Sequence, residues 1–395
     1  MIECEIIANG DELFRLENDW AQLLAKTPHA SFFQSFHWLR VRWEHRLKSD
    51  VALRVVVVKE NREITGIVPL VIQNRQTPLG PIRKLRFPID NWGSFYGAIG
   101  VNPEKIMTIA SSHLRKSCRE FDLLEFTNLP DYRSSNGIPS NSPTPQIQDD
   151  SASWEFDECS HVAMLYLRGD WNSYWESRKA QKNRRRNVER CERRLGELGE
   201  IEYIRYRPEA GEDPRWDLYD QCEDLASKSW QDGLSDGNTL HHERVRPFLR
   251  DTHIAAVAAG ASDLNLLRLD GKPVAFTYGY HFQGYVDLMR VGFNPELGKF
   301  APGNALWTRL IRDSFSRGDY ALDFGPSCLD YKKFWMTDLE TSHQGVLYAS
   351  TPTGRAFRLA RVVKSKLPVR TADHTNAEAK LAAQKNVVSS VKLPR

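Results

Sequence analysis

The residues best placed to do chemistry lie between Arg290 and Trp335. Within that stretch, Pro302-Gly303-Asn304-Ala305 opens a helix directly after a strand. Small residues at such a crossover let backbone amides approach a ligand, and the unpaired N–H groups of a first helical turn hold a phosphate or an acyl oxygen. Asp323 ends the next strand, where a carboxylate can take a proton from an attacking amine or hydroxyl. Tyr331-Lys332 follows in a loop, and a positioned ammonium lowers the barrier of an acyl transfer by about 2–4 kcal/mol through its oxyanion. Asp287 and Arg290 stand on the preceding strand at i and i+3. Strict alternation sends them to opposite faces, so only one can face a shared cleft.

A second group is the run 178–194, with nine Arg/Lys against two Glu. Arginine covers most of the helix circumference between Lys182 and Asn187, while Val188, Cys191, Leu195 and Leu198 make a narrow apolar seam. Scarce acids favour a dock for phosphates, through Arg178, Lys182 and Arg185 among others, on a nucleotide-linked sugar, a lipid carrier, a tRNA or an anionic membrane. Plainer readings stand beside these: Pro-Gly as a simple turn, the aspartates and Arg290 in structural ion pairs, and the lysines as solvated side chains. His253 and His281 have no partner at ligand spacing, so no metal site is expected.

The elements that must carry these residues are legible from pattern. Helical periodicity runs over Glu12–Leu24, Gln34–Arg46 and Pro103 to about Arg119 in the first half. A hairpin is expected over 53–58 and 64–72, with strands at 95–99 and 122–126. In the second half, helices are expected over 171–198, 214–230, 242–259 and 303–317. Strands fall at 201–206, in a hairpin turning at Asp270-Gly271, in the segment carrying Asp287, and at 321–325. Both halves read as helices, hairpin, strand, helix, strand, which suggests a degenerate internal duplication. Residues 130–153, rich in Ser, Pro, Asn and Asp, read as a linker.

This ordered set resembles the GNAT acyltransferase core, whose acyl-CoA pyrophosphate loop reads Arg/Gln-x-x-Gly-x-Gly/Ala. Gly303 and Ala305 fall on its two small positions, Phe300 occupies the Arg/Gln position, and Lys299 lies beside it. Ser229-Trp230, Asp270 to Ala275, Pro302-Gly303, Asp323-Phe324-Gly325 and Tyr331-Lys332 are more specifically similar to the BioF2-like acetyltransferase domain of CelD-type proteins of polysaccharide production. A pair of such lobes also resembles the FemAB peptidyltransferases. The resemblance implies acetyl-CoA or another acyl-CoA as donor, held by Lys299, Phe300, Gly303, Asn304 and Ala305. It implies Lys332, with Tyr331, as the oxyanion or acceptor residue. Trp230, Asp232, Asp287 and Arg290 become candidates for the acceptor, a carbohydrate or cell-envelope precursor with anionic groups. The expected fold is α/β (α+β) with two GNAT-like lobes, each a mixed, mainly antiparallel sheet flanked by helices: 1–130, a mobile linker 131–155, a catalytic lobe 156–365, and a basic tail 366–395. The alternatives are an aminoacyl-tRNA-dependent transferase of the FemAB kind and a non-catalytic scaffold in polysaccharide assembly.

Bulk properties fit a globular enzyme. The chain has 395 residues, 41% hydrophobic, enough for more than one core. Its net charge of +3 conceals +7 over 178–194 and +8 over 355–395, leaving the remainder at −12. Six dispersed cysteines without CxxC spacing point to free thiols in a reducing compartment. No long apolar run or secretory signal is visible. The protein is therefore expected in the cytoplasm, with contact at the inner membrane face.

Overall fold

The computed structural model describes residues 1–47, 51–90, 92–117, 120–131, 154–229, 239–326 and 330–366. The first half carries strands β1 (Ile2–Ile7), β2 (Val51–Leu53), β3 (Val55–Glu60), β4 (Glu63–Val68), β5 (Val71–Thr77), β6 (Gly80–Arg86) and β7 (Leu123–Leu129). Its helices are α1 (Gly10–Arg15), α2 (Glu17–Ala25), α3 (Phe36–Arg42) and α4 (Pro103–Ser117). The second half begins with β8 (Glu155–Tyr166), α5 (Trp171–Ser177), α6 (Lys182–Gly196), β9 (Ile201–Tyr206), α7 (Trp216–Ser227) and α8 (Arg246–Ala258). It continues through β10 (Ser262–Leu269), β11 (Lys272–Phe282), β12 (Tyr285–Phe293), α9 (Pro302–Arg317), β13 (Ala321–Pro326), β14 (Asp338–Tyr348) and α10 (Pro352–Lys366).

Eleven strands form one sheet in the order β2-β5-β6-β7-β14-β8-β13-β12-β11-β10-β9, and β1-β3-β4 make a separate three-stranded sheet. The sheets of the two halves are thus joined, because β14 pairs with β7 on one side and β8 on the other. Pairing is mainly antiparallel. Each half holds one parallel pair across a helix: β6 beside β7 after α4, and β12 beside β13 after α9. A parallel pair linked through a helix thus recurs in each half.

Hydrophobic spacing explains the helix that matters most. In α9, Leu306, Trp307, Leu310 and Ile311 are buried, and Gly318 ends the helix at φ 73°, where glycine carries no Cβ penalty. Asp270 and Gly271 both take positive φ, 47° and 74°, as the β10–β11 hairpin turn requires. A shared core locks the halves: Phe32, Phe33 and Trp38 pack with Phe248, Tyr278 and Tyr280.

Several expected elements differ. The helix expected over 12–24 is broken at Leu16, and the one over 171–198 passes through a 3-10 turn at Arg178–Gln181. There the Arg178 guanidinium donates to the carbonyls of Phe334 (3.2 Å) and Met336 (3.0 Å), a tertiary tie that periodicity cannot reveal. Leu198, expected in the apolar seam, lies beyond the end of α6 and is exposed, whereas Val188, Cys191 and Leu195 are buried. Segment 95–99 is no strand and makes a single bridge, Ile67 to Ile99. Strands β1, β6, β8 and β14 were not expected. In the middle of the β8–β14 ladder the facing positions are polar, as in the Ser160–Ser342 hydroxyl pair at 2.9 Å, so hydrophobic alternation is weak there. Of the expected linker and tail, 132–153 and 367–395 lie outside the described residues.

Candidate active site

The parallel ladder between β12 and β13 has only three rungs: Tyr285 to Ala321, Val286 to Leu322 and Asp287 to Asp323. Beyond it β12 continues to Phe293 along β11, while β13 runs on to Pro326. The two strands part there, leaving a wedge with two carboxyl groups at its base.

Those carboxyls are buried, Asp287 at 6% exposure and Asp323 at 2%. Asp323 is held from three sides. The Ser94 hydroxyl donates to Oδ1 (3.0 Å), the Gly325 N–H to the same oxygen (2.6 Å), and the Tyr285 hydroxyl to Oδ2 (3.2 Å). Asp287 Oδ2 has no hydrogen-bond partner among the described residues. Burial first, and then the neighbouring Asp323 charge, push the Asp287 pKa well above the usual carboxylate range. Burial also raises Asp323, opposed by the Gly325 N–H, Ser94, the Lys332 charge and Tyr285. One carboxyl is tied down, and the other has an oxygen open to a proton.

The expectation that Asp287 and Arg290 face opposite ways is corrected by a bulge. Tyr280 pairs with Asp287 and Tyr278 with Arg290, so two residues of β12 oppose Gly279 alone. Paired residues share a face, and Tyr278 and Tyr280 share one, so Asp287 and Arg290 do too. Arg290 lies over the Trp92 ring at 5.2 Å, on the side covered by the first half. Gly279 permits this: a Cβ there would lie 1.7 Å from the Asp287 carbonyl oxygen.

Lys332 is buried, and its ammonium donates to the carbonyls of Gly325 (3.2 Å) and Pro326 (3.0 Å), on the β13 lip of the wedge. Tyr331 packs edge-on to Trp307, and Lys333 is exposed and paired with Asp330 at 2.9 Å. At the other end, α9 starts from Ala301 in the left-handed region (φ 47°), a strained cap for a residue with a Cβ. Asn304 and Ala305 N–H groups, expected to hold a ligand, already donate to the Ala301 carbonyl at 2.9 and 3.4 Å. That leaves the Gly303 amide, since Pro302 has none. Phe300 is buried at this corner, with the Arg194 guanidinium 5.3 Å and the Lys299 ammonium 5.0 Å from its ring centre. The loop lacks its own arginine, but α6 brings one alongside.

The basic stretch is less free than its composition suggests. Arg178 is tied to backbone and stacks on Tyr174, while Arg185 bonds Glu189 (3.0 Å) and the Trp175 carbonyl (3.2 Å). Both therefore position α5 and α6, and Lys182 remains exposed. Trp230 and Asp232 lie outside the described residues.

A pocket opens beside Asp287 on the side covered by the first half, lined by Gln34, Phe95, Tyr166, Tyr285 and Glu340 among others. Burial raises the Glu340 pKa, and Tyr166 donates its hydroxyl to that carboxyl. Of these residues, Ser94, Tyr285, Tyr166 and Glu340 had no signal in the sequence beyond their polarity. Among the described residues no group of three or more His, Cys, Asp or Glu could hold a metal ion, and no helix is long and apolar enough to cross a membrane.

Residues 182–333 match the family model described as acetyltransferase (GNAT) domain. The fold is shared with FemX, at 10% identity over 90% of this chain and 99% of that one, TM-score 0.56. It is also shared with a conserved protein of unknown function from Bacteroides thetaiotaomicron, at 10% identity over 87% and 100% of the two chains, TM-score 0.52. A third is the C-terminal domain of a putative lysylphosphatidylglycerol synthetase from Agrobacterium fabrum, at 11% identity over 89% and 97%, TM-score 0.50. A search of curated protein sequences finds no match. Residues 182–333 therefore match a GNAT acetyltransferase domain, and the chain as a whole shares its fold with FemX.

Proposed function

We propose that the protein transfers an acyl group, acetyl in the first instance, from acyl-CoA to an amine or hydroxyl of a carbohydrate or cell-envelope precursor. The observation that carries this reading is the wedge between β12 and β13 with buried Asp287 at its base. Past Asp287, the β12 edge facing β13 has no ladder partner among the described residues, and an extended, amide-bearing donor arm can pair with it as an added strand. The donor's phosphates would lie toward the start of α9, facing the Gly303 amide with Arg194 and Lys299 as counter-charges. Acyl-CoA supplies the activated thioester.

The acceptor enters from the pocket beside Asp287. As its nitrogen or oxygen attacks the acyl carbon, its proton passes to Asp287 Oδ2, and the thiolate leaves as the tetrahedral centre collapses. A pKa raised by burial brings that carboxyl toward the range where a base works at neutral pH. Lys332, on the wedge lip, stabilises the oxyanion. Asp323, its oxygens taken by Ser94, Gly325 and Tyr285, keeps Asp287 in place rather than acting as the base. The pocket residues are carboxyls, phenols, hydroxyls, one amide, the His29 imidazole and apolar groups, with no Lys or Arg among them. That lining suits a hydroxyl- or amine-bearing body, with any phosphate of the acceptor held outside it.

The rival reading is an aminoacyl-tRNA-dependent transfer, favoured by Phe300 in the loop's Arg/Gln position and by the fold shared with FemX. Thermal-shift titrations with acetyl-CoA and with charged tRNA separate the two. Acyl-CoA transfer requires stabilisation by acetyl-CoA and release of free CoA thiol with amino-sugar or polyol acceptors. Stabilisation by charged tRNA alone overturns it.

A further inference from the structure

Helix α10 is amphipathic in the reverse sense. Its inward side is pinned: a Cβ on Gly354 would lie 2.7 Å from the Asp122 carbonyl oxygen, so the helix start is pressed against the body. On the same side Arg361 pairs with Glu155 (3.1 Å) and Asp157, and Arg358 reaches Glu155 at 3.9 Å. Phe357 is half-buried on that side, and the outward side carries the exposed apolar residues. Leu359 is 65% exposed, Val363 51% and Val362 41%, with Ala356 completing a stripe at i, i+3, i+7. No other element has three large exposed apolar side chains among the described residues. A surface helix normally buries such a stripe, so turning it outward has a cost in water unless something covers it.

Charge selects the occupant. Helix α10 itself holds five Arg/Lys and no acid. Two copies of the chain meeting through this face would bring these positive stretches together, whereas an anionic bilayer complements them. The helix is 15 residues long and does not cross a membrane, which leaves a position in the interfacial plane. We propose that α10 docks the protein on an anionic lipid surface, with Leu359, Val362 and Val363 inserted among the acyl chains. The inference is independent of the acyl-transfer reading.

The test is co-sedimentation of the full chain with vesicles of phosphatidylcholine, alone or mixed with phosphatidylglycerol. Binding is expected only to the mixed vesicles, weakening as salt is raised. The double variant Leu359→Asp/Val363→Asp should bind at least about tenfold more weakly, because an inserted carboxylate opposes both terms. Leu359→Ser/Val363→Ser should fall between the two, with circular dichroism confirming the fold. Leu79→Asp, at a site 61% exposed elsewhere, should bind as the parent does. Absence of binding to phosphatidylglycerol, or equal binding by the Asp double variant, overturns the proposal. So does a lipid-free dimer that the double variant converts to monomer.

Discussion

Asp287→Asn is the most searching single substitution, because it changes one proton and almost no volume. In the wild type, Asp287 sits buried with an unpartnered oxygen beside Asp323. Its pKa is raised on folding, so the unfolded chain releases a proton that the folded chain retains. Stability from this group is therefore fully present below the ordinary aspartate pKa and is lost as pH rises toward the raised one. Across that window the cost is about 1.4 kcal/mol per pH unit for one proton. Asparagine removes this slope and relieves Asp323 of a like charge. Thermal unfolding from pH 4 to 8.5 should show wild type and variant similar at the acid end, with the variant increasingly the more stable as pH rises. Transfer, followed by CoA thiol release, should fall about 10²- to 10⁴-fold in kcat, the usual worth of a general base. A stabilised, inactive protein would be the signature of a site strained for function. A Tm difference that does not change with pH would refute the buried-carboxyl argument, and full activity would refute the base.

Lys332→Ala should leave the protein folded and lower kcat by about 10²- to 10³-fold through loss of oxyanion stabilisation; unchanged turnover in a CoA-release assay would remove Lys332 from the mechanism. Arg194→Ala should raise the acetyl-CoA KM several-fold with kcat nearly constant, because the guanidinium over Phe300 is read as a donor contact, and steady-state kinetics decides it. Gly279→Ala should cost on the order of 3 kcal/mol or more, seen as a lowered urea midpoint, because its methyl would meet the Asp287 carbonyl and abolish the bulge.

The second half was largely legible because its helices and strands obey their periods. The apolar face of α9, the Asp270-Gly271 turn and the glycine after Arg317 are local signals, and local structure follows them. The site was legible only as far as alternation holds. At Gly279 it fails, and Asp287 moved from a candidate on one face to the base of the wedge. Ser94 touches Asp323 from 229 positions away, a contact no spacing rule contains. Phe300 was read from the loop as a missing cation, yet the neighbouring cation comes from α6, which only tertiary packing can bring there. The weak alternation of β8 and β14 hid the seam between the halves, since polar side chains facing each other carry no hydrophobic period.

That seam bears on how the chain is made. β14 lies between β7 and β8, although some two hundred positions separate it from the first of them. Until residues 338–348 emerge from the ribosome, β7 and β8 each present an edge whose partner has not yet been synthesised. Such long-range closure is slow and exposes intermediates to mispairing. The Ser94 contact to Asp323 crosses the same divide, so that carboxyl gains its partner from the first half only once the two halves have packed together.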